Sequence, residues 1–190
     1  MRQTTITRTT KETDIELSLC LEGGEVSVDT GVGFFDHMLT AFAVHAGYGL
    51  KVNCRGDIDV DCHHTVEDTG IVLGNALSEV LGDKSNLVRY GSFFVPMDEA
   101  LGFCAVDICN RAYTVFEANF PQEKCGDFDV CMCQEFFRAV SDNAKITMHL
   151  RAPYGDNSHH IAEAIFKAFG HAMSIATAKN DKTLSTKGTV

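Results

Sequence analysis

Laid over itself with a displacement of 96 positions, this chain matches without a gap through four of its eight histidines. Arg55 falls on Arg151, His63 on His159, His64 on His160 and Glu67 on Glu163. Farther along, Gly74 falls on Gly170, Ala76 on Ala172 and Ser78 on Ser174. Apolar positions agree too: Leu50 with Ile146, Val52 with Met148, Leu73 with Phe169. One His-His pair could recur by chance. Two pairs with matched glutamates and flanks define a duplicated half-domain, and the fold must accommodate two similar units. The 190 residues suit one domain with halves at about 1–92 and 93–190 sharing a core.

Each half reads alike. Alternating segments such as Ile15–Leu19 and Ile146–Leu150 predict strands. The stretches from near His63 and His159 predict helices, with Asp61, and Asn157 or Ser158, as N-cap candidates. Ile71, Leu73, Ala76, Leu77, Val80 and Leu81 form the apolar face of the first helix. Phe166, Phe169, Ala172 and Met173 form that of the second. The expected fold class is α+β, each half a β-sheet with helices packed on one face, the two combining into one α/β sandwich. Three prolines and short gaps between segments leave no flexible linker.

Composition removes several classes of function. The 45% apolar content is ordinary for a globular chain, and no run of about 18 apolar residues predicts a membrane span. The start, Met1-Arg2-Gln3-Thr4-Thr5, lacks the apolar stretch of a signal peptide, so a cytoplasmic location is expected. A net charge of −10 argues against nucleic acid as a partner. A few arginines and lysines focused in one cleft can still hold a small phosphate ester. The eight cysteines are scattered through apolar segments, with only Cys125, Cys131 and Cys133 grouped and no Cys-x-x-Cys pair. Free, mostly buried thiols are expected.

The repeated His-His-x-x-Glu units carry the chemistry. Imidazole nitrogen and carboxylate oxygen are ligand types shared by manganese, iron and zinc. On a helix His63 and Glu67 lie on one face, and His159 and Glu163 repeat that spacing. Their neighbours His64 and His160 are turned about 100° away and are poorly placed for the same ion. Two units facing each other solve this, each metal taking a His/Glu pair from one unit and the neighbouring histidine from the other. Burying four histidines and two carboxylates without a cation would be costly. A lone histidine is more often a satisfied core residue, and His149 and His171 are read so. His45 adjoins Ala46-Gly47-Tyr48 at a predicted turn.

Several motifs stand in one order along the chain. They are Thr10-Lys11-Glu12-Thr13, Gly33-Phe34-Phe35-Asp36-His37-Met38-Leu39, and Asp61 through Asp68 with its His-His-Thr-Val-Glu text. Asn86-Leu87-Val88-Arg89-Tyr90-Gly91, Pro96-Met97-Asp98-Glu99-Ala100, Asn157 through Glu163, Phe166-Lys167-Ala168-Phe169 and Ser185-Thr186-Lys187-Gly188 follow. In these the chain resembles the imidazoleglycerol-phosphate dehydratase family over nearly its whole length. The resemblance implies a sandwich of the ribosomal protein S5 domain 2-like kind. It implies two manganese ions in each active site, held between subunits of a homo-oligomer, a 24-mer. One ion would use His37, His64, His159 and Glu163. The other would use His63, Glu67, His160 and a ligand from Gln134-Glu135-Phe136-Phe137, where Glu135 replaces the histidine of some relatives. Phosphate binding would rest on Arg89, Arg111, Lys167 and Lys187, with a hydroxyl from Ser185. The text around Arg111, Asp107-Ile108-Cys109-Asn110-Arg111, departs from the usual family wording. Arg55 and Arg151 are read as structural.

The implied reaction, a step of histidine biosynthesis, removes water from a small phosphorylated imidazole substrate, imidazole-glycerol phosphate. The hydroxyl beside the ring leaves with a hydrogen from the next carbon, and the resulting enol becomes the ketone imidazole acetol phosphate. Lewis-acidic ions at the ring nitrogens would favour an imidazolate, which can push out the hydroxyl and leave the neighbouring C–H acidic. Glu12 is the leading acid–base and substrate-contacting residue by its place in the Lys11-Glu12-Thr13 motif, with His45 and Glu163 as alternatives. Two other readings fit the metal repeat. A two-metal hydrolase of phosphate esters would release phosphate, and a non-catalytic metal-assembled protein would bind no phosphate analogue.

Overall fold

The computed structural model describes residues 1–184. The first half runs β1 (Gln3–Thr9), β2 (Thr13–Cys20), β3 (Val26–Asp29), α1 (Gly33–Ala46), β4 (Gly49–Gly56) and α2 (His63–Leu81). The second runs β5 (Tyr90–Met97), β6 (Ala100–Asp107), β7 (Tyr113–Ala118), the small hairpin β8 (Lys124–Cys125) and β9 (Phe128–Asp129), α3 (Met132–Ala144), β10 (Thr147–Tyr154) and α4 (Ser158–Ala176). Apart from the β8–β9 insertion, the two orders are the same. The sheets agree as well, β1-β2-β4-β3 and β5-β6-β10-β7, each with an antiparallel leading hairpin and one strand added parallel at the far edge.

Strand alternation explains which face each sheet buries. In β2, Thr13, Ile15, Leu17 and Leu19 point inward while Asp14 and Glu16 face solvent. The same alternation overturns the core reading of His149: between buried Met148 and Leu150 it lies on the exposed outer face of β10. His171 is half-buried and stacks on Phe93 at 4.2 Å. Ile71, assigned to the α2 core face, instead lines a surface cleft. Arg55 and Arg151 do form equivalent ion pairs across the parallel strand pairs, to Asp29 at 2.7 Å and to Glu117 at 3.0 Å. All eight cysteines are free thiols, five of them buried.

The starts of α2 and α4 are fixed by side-chain oxygens that accept from orphan N–H groups. Asn157 is the α4 cap and accepts from the His159 N–H at 2.9 Å. At α2 the cap position is Cys62, and Asp61, one residue earlier, accepts from the His63 N–H at 2.7 Å.

The four helices lie between the sheets. α1 and α2 cover the first sheet, α3 and α4 the second, and the layers meet crosswise, α1 against α4 and α2 against α3. Aromatic rings fill the junction: Phe42 stacks on Phe169 at 4.8 Å, Phe136 on Phe166 at 5.3 Å, and Phe35 meets Phe136 edge-on at 5.3 Å. α4 also sits unusually near its sheet, its small residues Ala164, Ala168, Ala172 and Ala176 all fully buried. Gly102 and Gly91 make that approach possible. A Cβ at Gly102 would lie 2.4 Å from the Ala164 carbonyl carbon, and one at Gly91 would lie 2.0 Å from the Ala172 oxygen. Because backbone blocks both positions, Gly102→Val is expected to destabilise the fold by about 1–3 kcal/mol or more. Urea unfolding of wild type and variant measures this; an unchanged midpoint would mean that α4 can lift off the sheet freely.

Candidate metal centre

The i,i+4 spacing on α4 places His159 and Glu163 on one face, and the α1–α4 contact brings His37 to them. His159 Nε2 lies 3.1 Å and His37 Nε2 3.3 Å from Glu163 Oε2. Three potential ligand atoms, two imidazole nitrogens and a carboxylate oxygen, fall within 4.8 Å of one another. This donor set fits a divalent ion such as manganese, iron or zinc. Glu163 is only 6% exposed, and Lys167 Nζ holds its other oxygen at 2.8 Å. Burial pushes the Glu163 carboxyl upward, but the hydrogen bond and charge of Lys167, with His37, outweigh it and leave the pKa below the usual value. His159 also lines a cleft of about 720 Å³, with Phe34, Lys124 and Asn157 among others.

The second unit is arranged by the same logic in the other half. His63 Nε2 stands 3.5 Å from Glu67 on α2. α3 packs beside α2 as α1 packs beside α4 and brings Glu135 to the rim of the cleft, of about 320 Å³, that Glu67 lines. His37 and Glu135 are positional counterparts, since each stands equally far before the left-handed residue ending its helix, Gly47 or Lys145. Glu135 also pairs with Arg138 at 3.9 Å.

His64 and His160 turn away from both clusters, as helical periodicity requires. His64 Nδ1 lies 3.0 Å from Asp57, and its Nε2 lies 3.8 Å from Glu12. His160 Nδ1 lies 2.7 Å from Glu99, and its Nε2 lies 3.8 Å from Asp98. The hydrogen bond to Asp57 raises the His64 pKa, and that to Glu99 raises the His160 pKa. The reciprocal bond from His160, with backbone N–H donors, lowers Glu99 to about 2. Asp57, Asp98 and Glu99 were not among the expected site residues. One sequence signal was available: Glu99 immediately precedes β6 as Glu12 immediately precedes β2.

The expected phosphate ligands are split. Lys167 stands beside Glu163, within 3.8 Å of the Met97 sulfur at the end of β5. Arg89 lies at the other end of that strand, its Nε donating to Asp107 at 2.7 Å and its guanidinium over the Tyr90 ring at 4.8 Å. The turn carrying Arg111 begins there too, where the Ile108 N–H donates to the Arg89 carbonyl at 3.1 Å. The Arg89 N–H reaches the Ala176 carbonyl near the end of α4, about 20 Å from Glu163 at the rise of a helix. Ser185 and Lys187 lie outside the described residues. His45 bonds His171 through its Nδ1 at 3.1 Å, two turns along α1 from His37, and burial together with the charges of His171 and Lys167 lowers its pKa.

Two duplicated α+β halves, meeting through their helices and presenting His/Glu clusters on them, define a family with published relatives. A family profile described as imidazoleglycerol-phosphate dehydratase matches residues 30–173. The dehydratase of Bacillus cereus (strain B4264) is 56% identical over 192 residues, covering 99% of each chain. That of Bacillus thuringiensis (strain Al Hakam) is 57% identical over 181 residues, 95% of this chain and 93% of the relative. The crystal structure of the Staphylococcus aureus N315 dehydratase superposes with a TM-score of 0.86 at 42% identity, covering 94% of this chain and 99% of that one. The Pyrococcus furiosus enzyme, solved in complex with (S)-C348, gives 0.87 at 37%, covering 97% and 100%. The chain belongs to the imidazoleglycerol-phosphate dehydratase family. It is a hydro-lyase of histidine biosynthesis that dehydrates imidazole-glycerol phosphate to imidazole acetol phosphate.

The depressed Glu163 pKa makes a signed prediction for metal-free protein. A carboxyl held below its unfolded value near 4.5 contributes stability above that pH and loses it as the pH falls through the folded value. The Tm difference between wild type and Glu163→Gln should therefore be widest at neutral pH and close below about 4.5. A pH-independent difference by differential scanning calorimetry would show that the charge of Glu163 is not what Lys167 and His37 hold.

Proposed function

We propose that this dehydration depends on manganese, with two ions per active site completed between subunits of a 24-subunit homo-oligomer in the cytoplasm. The observation that carries the reading is the separation of the two ligand types within one chain. His37, His159 and Glu163 converge, while His160 and His64 point their Nε2 atoms elsewhere. Among the described residues no other group of three ligand side chains converges as these do. A neighbouring copy can supply the missing histidine to each cluster, His64 to the α1–α4 group and His160 to the α2–α3 group with Glu135. When bound, the ions supply Lewis-acid stabilisation of negative charge on the imidazole ring.

Substrate size supports sharing between copies. A ring, three carbons and a phosphate extend roughly 10 Å at ordinary bond lengths. Arg89 and the Arg111 turn of one chain stand about 20 Å from its own Glu163 by helix rise. Lys167 can meet the substrate beside its own cluster, and the arginines, with Ser185 and Lys187, serve a neighbour's. Glu12 is the acid–base group and a substrate contact. Its carboxylate already sits 3.8 Å from His64 Nε2, so a substrate ring held there comes within its reach. His45 and Glu163 are the alternatives for that role, and Glu163 is the poorer base if it ligates a metal.

Metal-stripped protein should form no ketone from imidazole-glycerol phosphate until manganese is added, and free phosphate should stay at background throughout. Phosphate release would favour a hydrolase, and ketone without any metal would remove manganese from the reaction. Sedimentation of the stripped protein should show a smaller assembly that grows on adding manganese. Glu12→Gln should keep manganese and substrate binding while kcat falls about a hundred- to ten-thousand-fold. Unchanged turnover would exclude Glu12 as the acid–base group.

A further inference from the structure

The geometry points to Glu99 and Asp57 as positioning residues that fix the ring tautomers of His160 and His64, leaving Nε2 of each as the bare ligating nitrogen. This rests on the metal reading above. An ionised carboxylate only accepts hydrogen bonds, so the ring nitrogen facing it must carry the proton. A neutral imidazole then has its lone pair on the opposite nitrogen. His160 Nδ1 lies 2.7 Å from Glu99 Oε2, and His64 Nδ1 lies 3.1 and 3.0 Å from the two oxygens of Asp57. The Glu99 carboxylate and the Asp57 backbone are themselves tethered. Glu99 Oε1 accepts from the Asp156 and Asn157 N–H groups at 3.2 and 3.0 Å, on the loop that enters α4. The Asp57 N–H donates to the Glu12 carbonyl at 3.0 Å.

The duplication provides an internal comparison. A contact kept only by descent would join equivalent positions in the two halves. By sheet register Arg55, opposite Asp14, matches Tyr154, opposite Leu101, so Asp57 falls on Asp156, whose backbone N–H donates to Glu99 while the carboxylate facing His160 is that of Glu99. The second half supplies its carboxylate from the β5–β6 turn instead. The counterpart of Glu99 at the β1–β2 turn, Glu12, faces Nε2 of His64 rather than Nδ1. The halves therefore reach the same Nδ1–carboxylate contact from different elements. A shared requirement on the histidine explains that, and inherited loop structure does not. Carboxylates behind metal-bound histidines orient the ring and raise its basicity.

Glu99→Gln separates this role from loop packing. Its carbonyl can still accept from the two backbone N–H groups, and its NH₂ then faces Nδ1, which must accept and so moves the proton to Nε2. The test is ¹⁵N solid-state NMR of the histidine rings in the full-length, metal-free protein at pH 8, with manganese titration calorimetry alongside. Wild-type His160 and His64 should carry the proton on Nδ1. In Glu99→Gln the His160 proton should move to Nε2 and manganese affinity should fall about 10–100-fold. Asp57→Ala should release the His64 tautomer and weaken manganese binding without changing His160. Wild-type rings protonated on Nε2 would overturn the proposal with no variant needed. A variant with the wild-type tautomer and affinity would overturn it equally. Wild-type protein with Nδ1–H rings that binds no manganese would instead sink the metal reading and leave the tautomer assignment standing.

Discussion

Helix α4 is held on two sides at close to backbone distance. Its alanine ridge lies on Gly91 and Gly102 of the second sheet, and Phe169 stacks on Phe42 of α1. Interiors packed this tightly do not deform gradually, so α4 has one seat and one rotation. That rotation decides everything at its first turn. His159 and Glu163 face α1 and meet His37, while His160 faces the β5–β6 turn and meets Glu99. The chemistry of the first turn is thus set by apolar contacts farther along the same rod.

The same arrangement exists twice because the crosswise helix contacts join the halves. α1 serves α4, and α3 serves α2, so each cluster draws one side chain from the opposite half. His37 and Glu135 occupy equivalent places in this scheme, although one is an imidazole and the other a carboxylate. Two related but chemically unequal clusters follow, one richer in imidazole and one richer in carboxylate.

Charge is distributed with equal economy. On a chain of net charge −10, the positive groups expected to meet phosphate are separated by most of the length of α4. Asp107 pairs with Arg89 and Glu163 with Lys167 within one chain.

The duplication, the α+β class and the His/Glu pairs were legible in the linear text, because each depends on spacing along the chain and not on contacts between elements. A displacement of 96 exposes the repeat, and a spacing of four puts two ligands on one helix face. The His37–Glu135 equivalence was hidden because it follows a displacement of 98 (135 − 37) and not 96, the segment from the end of α3 to His159 being two residues shorter than that from the end of α1 to His63. The outward turn of His149 was misread although the alternation of Ile146, Met148 and Leu150 already puts it on the opposite face of the strand. Asp57 had no signal in the sequence and Glu99 only its likeness in place to Glu12, since both act across contacts between a turn and a helix far apart in the chain. Local spacing therefore determined which side chains could act together on one element. Which elements face each other, and hence which third group joins each pair, was decided by tertiary packing alone, because close-packed helices allow only one register of contact.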